Sequence, residues 1–93
     1  MASVTGGTMR MMVTMVFDRE RRSDIVAHVP AERARIRELT ARGIVEALYI
    51  AAAQDRVWLV IRADTEEDAR QAVASLPLHA YATVEYATLA EPM

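Results

Sequence analysis

"IVEALYIAAAQDRVWLVIRAD", residues 44–64, decides the fold. Two apolar runs, 44–52 and 57–63, flank a polar connection at Gln54, Asp55 and Arg56, the pattern of a β-hairpin. Strict alternation puts Ile44, Leu48 and Ile50 on one face and Val45, Ala47, Tyr49 and Ala51 on the other. Both faces are largely apolar. A sheet covered on one side alternates apolar with polar residues, so this hairpin is expected to be covered twice.

Upstream, "MMVTMVF" (11–17) has the β-branched, apolar character of a strand and ends in the charged loop "DRERR". Ile25, Val29, Glu32, Ile36 and Leu39 then recur at helical spacing, with an acid in the middle of an otherwise apolar stripe. Ser23 or Asp24 is the candidate N-cap, and Gly43 supplies the stop. Pro30 leaves two readings open: one helix kinked at the proline, or a helix that starts there. Downstream, "DTEEDARQAVASLP" (64–77) is a second helix, capped by Asp64 or Thr65, acidic in its first turn and stopped by Pro77. "YATVEYATL" (81–89) is the last strand. The order β-α-β-β-α-β is the α+β ferredoxin-like plan, a four-stranded antiparallel sheet with two helices on one face. Its other face is left bare, so apolar residues there predict pairing with a second copy as a homodimer or a higher homo-oligomer.

The chain has 93 residues, enough for one domain, and a 53% apolar content that is high for so small an interior. It has no cysteine, which excludes disulfides and thiolate metal sites, and only His28 and His79 could join carboxylates on a metal; no metal site and no cofactor are expected. All 11 basic residues are arginine, so lysine Schiff-base chemistry is excluded. A net charge of −2 argues against nucleic acid as a partner, and no apolar run is long enough to span a membrane. The opening "MASVTGGTMR" lacks the apolar core of a signal peptide and is similar to the phage-derived leaders of expression vectors. Residues 1–10 are therefore set aside as a flexible leader, 11–93 as the single domain, and the cytoplasm is the expected location.

Glu32 is the leading candidate for chemistry. On the inner face of its helix the carboxylate is desolvated, which raises its pKa towards the range useful for proton transfer. Two structural roles compete: satisfying N–H groups in the first turn of a helix begun at Pro30, or pairing with an arginine of the sheet. His28 stands one turn before Glu32 and is the candidate partner in an acid/base pair. Tyr49, Trp58, His79 and Tyr81 are candidate substrate-binding groups. Trp58 faces away from Val57 and Leu59, towards a pocket wall or a dimer core, and His79 and Tyr81 lie on a loop able to fold over a pocket mouth.

"LPLHAY" (76–81), before the last strand, resembles the corresponding segment of the muconolactone isomerase family: Leu76, Pro77, Leu78 and Tyr81 match its pattern. The spacing from Glu32 to Gly43 also fits the family's first helix, and the similarity extends over roughly 11–89. The resemblance implies a dimeric α+β barrel and a cofactor-free proton shift within a small unsaturated lactone. It implies that Glu32 is the acid/base and that a donor such as Tyr49 or His28 steadies the enolate. Glu46 and Ile50 stand where the family's second strand has arginines, and Val45 replaces an aromatic, so a more apolar, polyketide-like carbonyl compound suits this wall better. Two alternatives stay open: a cofactor-free monooxygenase or cyclase of aromatic polyketides, and a non-catalytic dimeric ligand-binding module.

Overall fold

The alternation of Met11, Val13 and Met15 with Met12, Thr14 and Val16 puts one apolar set on each side of the first strand. In the computed structural model, which describes residues 8–90, that strand is β1 (Met9–Phe17), followed by α1 (Arg22–Ala41), β2 (Val45–Ile50), β3 (Arg56–Ala63), α2 (Glu66–Ala74) and β4 (Ala82–Thr88). The sheet order is β2-β3-β1-β4 with every pairing antiparallel, the ferredoxin-like plan. β1 begins at Met9, so the last two residues of the stretch expected to be a leader pair with Ala63 and Arg62. Residues 1–7 lie outside the described ones.

The core lies between the sheet and the helices. Met11, Val13 and Met15 sit beside Leu59, Ile61 and Val45, and are covered by Leu39 from α1 and by Ala69 and Val73 from α2. Val45 was expected on the other face. A bulge between Val45 and Ala47 inserts Glu46 without a partner, and the extra residue reverses the alternation. Val45, Leu48 and Ile50 therefore share the helix side, while Ala47 and Tyr49 face away. The Glu46 carboxylate accepts a 2.7 Å hydrogen bond from Arg10 Nε, offsetting the like-charge pairing of Arg10 with Arg62 on the adjacent strand.

α1 is a single helix that runs through Pro30. It needs neither Ser23 nor Asp24 as a cap, because a 3-10 turn, Arg19–Arg21, feeds straight into it. Asp18 opens that turn by accepting the Glu20 N–H at 3.0 Å. The stripe is covered as its spacing requires: Ile25, Val29, Glu32 and Ile36 are half-buried and Leu39 is buried. α2 is capped by Thr65, whose Oγ1 accepts the Asp68 N–H at 3.0 Å. Pro77 does more than stop it. It opens a 3-10 segment, Pro77–Tyr81, so Tyr81 precedes β4 rather than starting it.

The far side of the sheet carries Met12, Val60, Ala47 and Ala87 in one row and Glu85, Thr14, Trp58 and Tyr49 in the next. Tyr49 is 60% exposed, and no second layer covers this face among the described residues.

Gly43 ends α1. Its N–H donates to Thr40 and that of Ile44 to Leu39, a Schellman closure made with the glycine at φ +77°. A Cβ added there meets no atom within 4 Å, so any penalty is one of backbone conformation alone. Gly43→Ala should lower unfolding free energy by about 1–2 kcal/mol in urea titration. A neutral result would show that the left-handed conformation is not held.

Candidate functional site

The site begins with a proline. Pro77 has no N–H, and the Leu76 N–H is already spent on Val73, so Leu78 carries the first free main-chain donor of the segment Pro77–Tyr81. Glu32 Oε1 takes it at 2.9 Å, across 46 residues of sequence. α1 is thereby joined to the segment that leads into β4. Glu32 Oε2 has no hydrogen-bond partner among the described residues.

Burial holds the Glu32 carboxyl above its ordinary pKa, against the Leu78 N–H and the positive charge of nearby His79, which both favour the ionised form. Neither structural role expected from the sequence applies. Glu32 lies mid-helix rather than in a first turn, and it makes no ion pair with any arginine among the described residues. Its partner is main chain from a distant segment.

His28, one turn earlier, is exposed; its Nδ1 donates to the Asp24 carbonyl at 2.7 Å and it makes no hydrogen bond to Glu32. The expected shared proton is absent from this arrangement. The His28 ring instead meets Tyr81, with centroids 5.4 Å apart, and the Arg21 guanidinium lies 4.8 Å from the centre of the same ring. Glu32, His28, His79 and Tyr81 are thus gathered along the seam between α1 and Pro77–Tyr81. Tyr49 and Trp58 are not. They pair across β2 and β3 on the opposite face of the sheet.

Two groups escaped the sequence: the Leu78 N–H and Arg21. A proline at the start of a turn was a usable signal for the first, because it makes the next N–H the exposed one. Arg21 stood in a charge run that looked like loop, and nothing in that run marked it.

Among the described residues, one surface cleft lies beside Arg35, Arg42 and Asp68 and another beside Tyr81; Glu32 lines neither of them. Among the described residues no three His, Asp or Glu side chains converge on a possible metal position. No described helix is long and apolar enough to cross a membrane.

The sequence profile of muconolactone delta-isomerase matches residues 7–92. The chain belongs to that family. No curated protein matches it in sequence. Among solved structures, the crystal structure of MtbAldR is similar at a TM-score of 0.61 and 16% identity, over 100% of this chain and 62% of that one. This chain thus spans less than two thirds of that neighbour's length, and the likeness concerns the fold alone. Membership in the isomerase family rests on the profile, which covers all six helices and strands.

The raised pKa has a consequence for stability. An acid that binds its proton more firmly in the folded state contributes fully below its free value near 4.5, and that contribution is lost as pH rises through the raised one. Glu32→Gln keeps a carbonyl acceptor for Leu78 but cannot ionise. Its stability relative to wild type should therefore improve from about pH 4 to about pH 7 in urea denaturation. Glu32→Ala should cost about 1–3 kcal/mol throughout, by leaving the Leu78 N–H unpaired. A difference between wild type and Gln that ignores pH would mean that the carboxyl ionises as if in water.

Proposed function

We propose that the chain is a cofactor-free isomerase-type enzyme that shifts a proton next to a carbonyl in a small unsaturated lactone or polyketide-like compound. The observation that carries this is the state of Glu32: half-buried, held by one oxygen on a main-chain donor, its other oxygen unpartnered among the described residues. An acid that is reluctant to ionise and fixed in direction suits both halves of a proton shift. Ionised Glu32 removes a proton from the activated carbon and becomes a carboxylic acid while the substrate becomes an enolate. The same proton returns to a second carbon, the double bond moves, and the carboxylate is restored. No oxidant or co-reactant enters the balance. His79, near Glu32, and Tyr81, against His28 one turn earlier, are better placed than Tyr49 on the far face to donate to the enolate oxygen.

The bare sheet face supports a homodimer. Met12, Ala47, Trp58 and Tyr49 form an apolar, aromatic surface on the side away from both helices, and such a surface is stable in water when a second copy covers it. In this arrangement Trp58 and Tyr49 belong to the subunit contact.

One observation favours a non-catalytic module instead: the Leu78 bond by itself explains why an acid stands in the stripe, as a strut between two segments. The two readings part on proton exchange. In D2O, wild type should exchange deuterium into the activated position of a small unsaturated lactone, followed by proton NMR, and Glu32→Gln should slow this by about 10²–10⁴-fold. Equal exchange in both proteins, or none in wild type across a panel of lactones and quinone-like compounds, would leave only the strut. Separately, Trp58→Asp should move the sedimentation profile towards monomer, because a charge on that face opposes its burial. An unchanged profile would exclude the sheet face as the contact.

A further inference from the structure

A cleft of about 680 Å³, the size of a small-molecule site, opens between the C-terminal half of α1 and the helix α2. Arg35, Leu39 and Arg42 recur at i, i+4 and i+7 along one wall, and Asp68, Gln71 and Ala72 at i, i+3 and i+4 along the other. Leu39, Ile44 and Ala63 give it an apolar floor. Arg62 borders the cleft, but its register with Arg10 assigns it to the far side of the sheet. The two walls are tied at the Ser75 end. Arg35 Nε donates to Ser75 Oγ at 3.0 Å and Arg35 Nη1 to Glu38 Oε1 at 2.6 Å. Two such bonds set the plane of the guanidinium, and Nη2 has no hydrogen-bond partner among the described residues. At the other end Arg42, Asp64 and Asp68 line the cleft, and among the described residues no ion pair joins them to each other or to Arg35.

We propose that this cleft binds a linear ω-amino carboxylate, with the carboxylate on Arg35 and the ammonium on Asp64 and Asp68. Opposite charges at the two ends of one apolar trough, too far apart to pair with each other, match a ligand that carries the same charges in reverse order. A fixed guanidinium is suited to a carboxylate. At the far end two carboxylates stand against Arg42, which leaves that end acidic. Their place at the start of α2 complements the helix dipole, and neither is spent on an ion pair among the described residues. The spacing selects the length of the ligand. Ser75 fixes the level of Arg35, and Asp68 lies two turns earlier on the same face of α2, about 10 Å along its axis. An extended chain of about six carbons covers most of that length, and the side chains close the rest. An α-amino acid, with its charges on neighbouring atoms, does not reach both ends. The methylenes of the longer ligand lie on Leu39, Ala63 and Ala72.

The site stands apart from Glu32, so its test needs no proton exchange. The probes are 6-aminohexanoate, hexanoate, hexylamine and glycine, each titrated into the full chain at low salt with amide shifts followed by NMR. The first should bind about fivefold or more tightly than any of the other three and shift the amides around Arg35, Arg42 and Asp68. Added salt should weaken it. Asp68→Asn, which keeps the main-chain N–H that Thr65 caps, should cost about fivefold for 6-aminohexanoate and nothing for hexanoate. Glu85→Gln on β4, an equal change of net charge outside the cleft, should leave both unchanged. Arg35→Gln should weaken 6-aminohexanoate and hexanoate alike; because Arg35 also ties α1 to Ser75, the Asp68 variant carries the decision if that protein fails to fold. No saturable shift with 6-aminohexanoate, binding no tighter than that of the singly charged probes or of glycine, or affinity untouched by Asp68→Asn would overturn the assignment.

Discussion

One hydrogen bond organises the candidate site of this molecule: Leu78 N–H to Glu32 Oε1. Without it, α1 and the segment Pro77–Tyr81 would meet through side-chain packing alone, and a carboxylate would sit half-dry with no partner, at a cost of several kcal/mol. With it, the acid has one oxygen satisfied and one free. The bond also brings Tyr81 to His28 and sets His79 near the carboxyl. Desolvation still outweighs these favourable contacts, so the group stays reluctant to ionise.

The element order was legible because each element carried its own period. The stripe Ile25, Val29, Ile36 and Leu39 has helical spacing, and these four side chains lie on the covered face of α1. Thr65 and Gly43 marked ends that the structure closes with a side-chain cap and a Schellman closure. What escaped were events that periodicity cannot express. The bulge at Glu46 changes the face of Val45 through one unpaired residue. The 3-10 turn after Asp18 replaces a cap that Ser23 or Asp24 could have made equally well on composition. For the site, Glu32 stood out because it broke a pattern, but its partner is a main-chain group and has no letter in the sequence.

The sheet separates the aromatic residues into two populations. Tyr81 lies on the helix-covered side, next to an arginine and a histidine. Tyr49 and Trp58 lie on the other, among Met12, Val60 and Ala47. From sequence, all three had the same claim on a substrate, since an aromatic with a polar tip suits a pocket and a contact surface alike. The strand pairing decides between them: the register that places Leu59 in the core turns Trp58 outward.

Because the donor to Glu32 is peptide backbone, it does not depend on which side chain occupies position 78. Leu78 is buried, so its own replacement is limited by packing; a replacement that keeps the fold keeps the donor, and another proline deletes it. The acid's orientation is thus insulated from ordinary sequence drift, while its surroundings, His79 and Tyr81 on the same short segment, are open to exchange. Such a layout decouples the direction of the carboxyl from the identity of the side chains that surround it.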